Sequence, residues 1–329
     1  MKINYLFRHP SPVFHSIEEQ FFAMQKELPK GIEYKNIFAK KHSKGLFKRL
    51  FITFQLAFNQ GDINHITGDI HFVTLFLKKK KTILTVHDIN SVLKGNGLKY
   101  KILRFFWFIM PFARVKYITV ISDFTKKQIL DEFKVNPKKI IVIPDCVSPE
   151  IKFSEKKFNK EKPNILQIGT KPNKNLPNLI TALEDISCQL TIIGKLTKEQ
   201  IQLLQKCNID YENKYNLDYS EIIDAYKKAD IVTFVSTYEG FGVPILEAQA
   251  TGRVVITSNF SPMKDVAGAG ALLVNPQSVE SIRKGIMRII SNEELRNKIT
   301  GAGQKNVRKY SAKNVAVKYA ELYRKILPK

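Results

Sequence analysis

From Ile231 to Ser258 the chain leaves few folds open. Ile231-Val232-Thr233-Phe234-Val235 is an unbroken β-branched and aromatic run of strand length, apolar enough to be buried on both faces. It passes through Ser236-Thr237-Tyr238-Glu239-Gly240-Phe241-Gly242 into Val243-Pro244-Ile245-Leu246-Glu247-Ala248, a helix that Pro244 can open. A proline at the first helical position gives up only an amide that is unpaired anyway. Gly252 follows, and then a second strand, Arg253-Val254-Val255-Ile256-Thr257-Ser258. Gly240 and Gly242 permit a sharp turn and a close approach by a ligand, and the free amides of a helix start attract anions. Glu239 and Glu247 flank this turn eight residues apart. Such a turn suits a phosphorylated ligand with hydroxyls for two carboxylates to bind, although the same pattern also serves as plain connection in α/β proteins.

A chain of 329 residues exceeds one typical core and suits two domains of about 150 residues each. Its 44% hydrophobic and 25% charged residues describe a globular protein, not a disordered one. Against 30 Asp+Glu stand 53 Lys+Arg, a net +23 spread over both halves. A field of this sign steers nucleic acid, anionic lipid and phosphorylated substrates alike, and lysine use in an AT-rich genome would also raise it. No helix-turn-helix, zinc-finger or RNA-binding signature accompanies it, so nucleic acid is not expected as a partner. Cys146, Cys188 and Cys207 have no paired spacing and fit buried thiols in a reducing cytosol. The apolar start Ile3 to Phe7 is too short for a signal peptide, and Phe105 to Ala113, nine residues, is too short to span a bilayer. These features predict a cytoplasmic protein, soluble or peripheral on the inner face of the plasma membrane.

The first half alternates strands and helices: a strand at the N-terminus, a helix to about Leu28, strands at Ile32–Phe38, Asp62–Ile66, Lys81–Val86, Ile118–Ile121 and Lys139–Ile143, with helices at Leu46–Phe58 and Phe124–Phe133. This alternation indicates a parallel sheet whose ligand crevice lies at the carboxyl edge. His87-Asp88 falls at such an edge, where the histidine can be either structural or catalytic. Tyr100 to Tyr117 mixes aromatic and basic residues and reads either as a helix packed on the sheet or as one lying in a membrane interface. The run Lys78–Lys81 is a solvated loop or a contact with anionic lipid. Glu150 to Lys162 is charged and aperiodic, as a linker would be.

In the second half, strands are expected at Asn164–Ile168, Leu190–Ile193 and near Ile209–Tyr211, with helices ending at Leu183 and spanning Thr197–Cys207 and Ser220–Lys228. Helical periodicity returns at Val279–Ile290, Glu294–Tyr310 and Ala312–Leu327. The turn Gly169-Thr170-Lys171-Pro172-Asn173-Lys174-Asn175 places lysines at a strand end, where a compact ammonium can meet phosphate. The chain has no complete Gly-x-Gly-x-x-Gly, no Walker loop and no Asp-x-Asp pair, which argues against a dehydrogenase, an NTPase and a metal site.

The string Tyr238-Glu239-Gly240-Phe241-Gly242-Val243-Pro244-Ile245-Leu246-Glu247-Ala248, followed by Val266-Ala267-Gly268 and Leu272-Leu273-Val274-Asn275-Pro276, resembles the donor-site signature of glycosyltransferase family 4. The resemblance implies a GT-B fold: two facing Rossmann-like α/β domains with parallel sheets, an acceptor domain at 1–150, a linker at 151–162, a nucleotide-sugar donor domain at 163–311, and a helix at 312–329 crossing back to the first domain. It implies retaining transfer of a hexosyl group from a nucleotide sugar to a glycan or lipid-linked acceptor in bacterial cell-envelope polysaccharide synthesis, without metal or cofactor. By position, His87 would lie beside the transferred sugar, Lys174 at the diphosphate, Glu239 at the sugar hydroxyls and Glu247 at the ribose. Gly169, Lys171, Gly240, Phe241, Gly242 and Val243 would complete the donor site. His9, Ser16 and Glu18 are acceptor-side candidates. Thr170 departs from the arginine many members carry after the glycine, which leaves Lys171 as a possible substitute. A GT-B epimerase or phosphorylase is the alternative within the architecture, and a basic nucleic-acid-binding protein the alternative outside it.

Overall fold

The computed structural model describes residues 1–10, 16–90, 95 and 97–327. Residues 11–15 and the side chain of Ser16, an acceptor-side candidate, lie outside the described residues. By contact the chain divides into two compact units, Met1–Cys146 with Ala312–Lys329, and Val147–Ser311.

The first unit is built on six parallel strands, β1 (Lys2–Phe7), β2 (Glu33–Phe38), β3 (Ile63–Ile66), β4 (Thr82–Val86), β5 (Tyr117–Val120) and β6 (Ile140–Val142), in the order β2-β1-β3-β4-β5-β6. Helices cover both faces, so inner strands such as Thr82-Ile83-Leu84-Thr85-Val86 are buried along their whole length. Alternate residues go to opposite cores: Tyr5, Phe7 and Ile83 to one, Leu6, Leu84 and Val86 to the other. The C-terminal helix Ala312–Ile326 belongs to the first of these. Its Val315, Tyr319, Leu322, Tyr323 and Ile326 form one helical stripe against Tyr5, Phe21 and Met24.

The second unit holds β7 (Asn164–Ile168), β8 (Gln189–Ile193), β9 (Tyr211–Lys214), β10 (Ile231–Phe234), β11 (Val254–Ser258) and β12 (Leu272–Val274), all parallel, in the order β12-β11-β10-β7-β8-β9. The chain winds outward from β7 to β9, returns to the other side of β7 at β10, and winds outward again. The strand order therefore reverses between β7 and β10, and in the first unit between β1 and β3. Ligands of open α/β sheets bind at such reversals, outside the carboxyl ends of the strands.

Three local expectations are corrected. The helix after β10 begins at Val243 with Gly242 as its cap, so Pro244 stands at the second helical position. The stretch expected as one helix from Tyr100 to Tyr117 is an α-helix at Leu98–Arg104, a π-helical turn at Phe105–Ile109 and a short helix at Met110–Arg114, after which Tyr117 opens β5. Pro111 has no amide to donate to the Trp107 carbonyl, and His71 Nδ1 binds that oxygen instead at 2.6 Å. The third strand of the second unit runs over Tyr211–Lys214, past the expected Ile209–Tyr211. As an edge strand it lacks the apolar run that marks inner strands. The charged stretch after Glu150 is fastened to the second unit: Ser154 N–H donates to Thr251 O at 3.2 Å, and Lys156 pairs with the buried Asp230.

Candidate active site

At the reversal in the second unit, β7 ends in Gly169 and β10 runs into Glu239. Gly169 has φ +92°, and a Cβ there would lie 2.9 Å from Lys174 Cγ. The glycine thus makes both the turn and the groove in which the Lys174 stem runs. Lys174 Nζ meets Glu239 Oε1 at 2.7 Å and sits 4.5 Å over the Phe234 ring. Asn173 Nδ2 donates to the same carboxylate oxygen at 3.2 Å and to Tyr238 O at 3.0 Å. Thr237 N–H donates to Asn173 O at 2.9 Å, and Asn175 Nδ2 donates to Val235 O at 3.0 Å and Pro276 O at 2.7 Å. Beneath them the buried Gln167 donates to Gly169 O and Lys174 O, at 3.3 and 3.2 Å. Two turns far apart in sequence are thereby held as one polar surface carrying one cation and one anion, both partly exposed.

The helix Val243–Thr251 starts beside that surface. Gly242 has φ +123° and its would-be Cβ lies 3.0 Å from Ile245, so a side chain there would be strained and crowded. Phe241 is buried with its ring 5.8 Å from that of Tyr310, so what it can offer a ligand is its amide. One turn along, Glu247 is 8% exposed. Tyr226 Oη donates to one of its oxygens at 2.6 Å and Tyr219 Oη to the other at 3.3 Å. Burial raises its pKa, and the two hydroxyl donors oppose the rise. Each carboxylate oxygen keeps a further lone pair for another donor. Thr170 donates to Lys195 O at 2.7 Å, away from the ion pair, and Lys171 is exposed at the start of the 3₁₀ turn Pro172–Lys174.

In the first unit, His87 follows β4 and its Nε2 donates to Thr67 O at 2.9 Å, which fixes the orientation of the ring. Glu18 is buried and held by Arg8 through two contacts, 2.8 and 3.1 Å. His9 packs on the His42 ring at 4.0 Å between centroids and bonds Pro10 O at 2.8 Å. Behind this edge, His65 bonds Tyr323 Oη through Nδ1 and Thr85 Oγ1 through Nε2, both at 2.7 Å, and burial pushes its pKa down to about 3. Among the described residues no three His, Cys, Asp or Glu side chains come together as a metal-binding set. All three cysteines are free and buried.

The sequence reading missed Asn173, Gln167, Tyr219 and Tyr226. Asn173 sits within the lysine turn and was open to notice. The other three act through pairings 7 to 66 residues apart that no local spacing shows.

Two six-stranded parallel sheets flanked by helices, each with a reversal point, are the kind of α/β units from which GT-B proteins are built. A sequence model described as Glycosyltransferase Family 4 matches residues 14–151, and one described as Glycosyl transferases group 1 matches residues 148–306. The chain belongs to glycosyltransferase family 4. It is similar to the O-antigen chain mannosyltransferase RfbU of Salmonella typhimurium, 30% identical over 225 residues, which cover 66% of this chain and 62% of that one. The match therefore spans less than two thirds of that relative's length. The uncharacterized glycosyltransferase MJ1069 of Methanocaldococcus jannaschii is 27% identical over 321 residues, covering 89% of this chain and 80% of that one. Anabaena HepE, solved in complex with UDP and glucose, superposes with a TM-score of 0.79 at 13% identity over 99% of this chain and 100% of that one, a likeness of fold.

Proposed function

We propose that the protein is a retaining glycosyltransferase that moves a hexosyl group from a nucleoside-diphosphate donor to a glycan or lipid-linked acceptor in cell-envelope polysaccharide synthesis. The observation that carries this reading is the Lys174–Glu239 pair at the strand-order reversal, next to the start of the helix Val243–Thr251. A diphosphate brings negative charge, which Lys174 and the helix-start amides complement. Glu239, once shared with that cation, accepts hydrogen bonds from sugar hydroxyls, and Glu247 accepts from ribose. The O-antigen relative supports an envelope role and a mannosyl-like sugar, and the UDP-bound neighbour supports a nucleotide donor.

In this reading the bond from the sugar's anomeric carbon to the leaving diphosphate breaks while the acceptor oxygen bonds to that carbon from the same face. The acceptor's proton passes to a leaving phosphate oxygen. Lys174 and the amides from Gly240 to Val243 neutralise the charge that develops there, in the role a metal plays elsewhere. His87 hydrogen-bonds the sugar through Nδ1. His9, Ser16 and Glu18 are assigned to the acceptor side, with Glu18 acting through Arg8. The protein acts in the cytoplasm, at the inner face of the plasma membrane.

Incubation with nucleotide sugars and a lipid-linked or glycan acceptor tests the reaction. Transfer with retained anomeric configuration, unchanged by a chelator, is expected. Donor hydrolysis, epimerisation or phosphorolysis without transfer would overturn it.

A further inference from the structure

The helix Leu46–Ala57 is apolar on two sides. Ile52, Thr53 and Leu56 are buried in the first unit, while Phe47, Phe51 and Phe54 point outward and continue into Phe58. The spacing of these phenylalanines is one helical stripe. Phe47 is 87% and Phe58 86% exposed, and Phe51 and Phe54 between them are only partly covered. Neighbouring elements extend it: Phe54 stacks on the exposed Phe76 at 4.9 Å, and Arg49 lies 4.6 Å over Trp107, in the π-helical turn whose Phe105 and Ile109 are also exposed. Beside Ile109 opens a cavity of about 610 Å³ lined by Phe112 and Phe133, with Lys139 and the Arg104–Glu132 ion pair among its walls.

Charge says what would cover this face. No Asp or Glu occurs between Glu33 and Asp62, nor between Asp88 and Asp123. Lys41, Lys44 and Lys48 border the stripe, with Lys41 Nζ 4.4 Å from the Phe51 ring, and the exposed Lys78–Lys80 follow Phe76. Protein–protein interface cores are poor in lysine. Exposed phenylalanines rimmed by lysine, on segments that carry no acidic residue, match instead an anionic headgroup layer over an acyl boundary.

We propose that this face docks on an anionic lipid bilayer, with the helix Leu46–Ala57 in the headgroup plane and Phe47, Phe51, Phe54 and Phe58 in the acyl boundary. The π-helical turn adds Phe105 and Ile109. Phe108 and Phe112 of the same segment are buried, so its other side packs within the first unit. The docking stands independently of the donor-site reading.

Co-sedimentation with vesicles of phosphatidylcholine, with and without phosphatidylglycerol, tests it. The protein is expected to pellet with the anionic vesicles, less as salt rises, and Trp107, the chain's single tryptophan, is expected to be quenched by brominated lipid. Lys44→Glu and Lys48→Glu should each weaken binding at least about fivefold. The triple variant Phe47→Ser, Phe51→Ser, Phe54→Ser should lose it while keeping the wild-type melting temperature and nucleotide response. Wild-type protein that stays in the supernatant, a triple variant that binds as well as wild type, or a dimer in solution that the triple variant dissociates would each overturn the proposal.

Discussion

Lys174 and Glu239 neutralise each other at 2.7 Å in a partly buried setting, so the pair is a poised arrangement that an incoming diphosphate can reorganise. Removing a donor aimed at developing charge typically lowers turnover about 10²–10³-fold. Lys174→Ala and Glu239→Ala should each cost at least about a hundredfold in kcat/KM with an unchanged circular dichroism spectrum, and full activity in both would remove the assignment. Gly169→Ala tests the same site from its floor. It forces a side chain onto φ +92° and into the Lys174 stem, so activity should fall nearly as far as in Lys174→Ala, with about 1–3 kcal/mol of stability lost in denaturant titration. At Glu247, Tyr226→Phe strips the shorter of two hydrogen bonds from a buried carboxylate, and about 1–3 kcal/mol of stability should go with it.

Among the elements, the C-terminal helix Ala312–Ile326 supplies the strongest test, because it is distant in sequence from every strand it covers. Tyr323 Oη joins His65 at 2.7 Å and Tyr5 Oη at 2.9 Å within that core. Tyr323→Phe should destabilise the first unit by about 1–3 kcal/mol in chemical denaturation and leave nucleotide binding unchanged. A loss of nucleotide binding would show that the helix does more than pack. Ten of the twelve strands stand close to where the sequence places them, since strands covered on both faces must be continuously apolar, and Leu272–Val274 was read only as part of a motif. Tyr211–Lys214 was misplaced because an edge strand needs no such run. The π-helical turn escaped notice because the His71 bond that satisfies the Trp107 carbonyl, left free by Pro111, joins residues 36 apart. The apolar helix Leu46–Ala57 was legible as a helix, yet only the structure shows that one of its apolar stripes stays exposed. Of the site, the turn residues and both glutamates were visible as motifs, whereas the tyrosines that hold Glu247 were not.

At the scale of the whole molecule, two buried histidines tie stability to pH. Burial holds His65 down to about 3 and His71 down to about 4, against an ordinary value of 6.5. Both rings are neutral in the folded chain and take protons in the unfolded one, so their contribution is complete above pH 6.5 and is lost as pH falls. Each costs up to about 1.4 kcal/mol per pH unit below that point, until its own folded value is reached. Imidazole NMR signals from His65 and His71 that stay unprotonated at pH 5 would agree, and a midpoint near 6.5 for either would not. The net charge of +23 suits both a phosphorylated donor and an anionic surface, and so does not choose between them. The donor reading is tested most directly by thermal unfolding of the wild type and Lys174→Ala with a panel of nucleoside diphosphates. At ligand about a hundredfold above Kd, specific binding adds about 2.7 kcal/mol of stability. One diphosphate should raise the wild-type Tm clearly and the Lys174→Ala Tm little; no response to any of them, or an equal response in both proteins, would contradict the donor site proposed in the second unit.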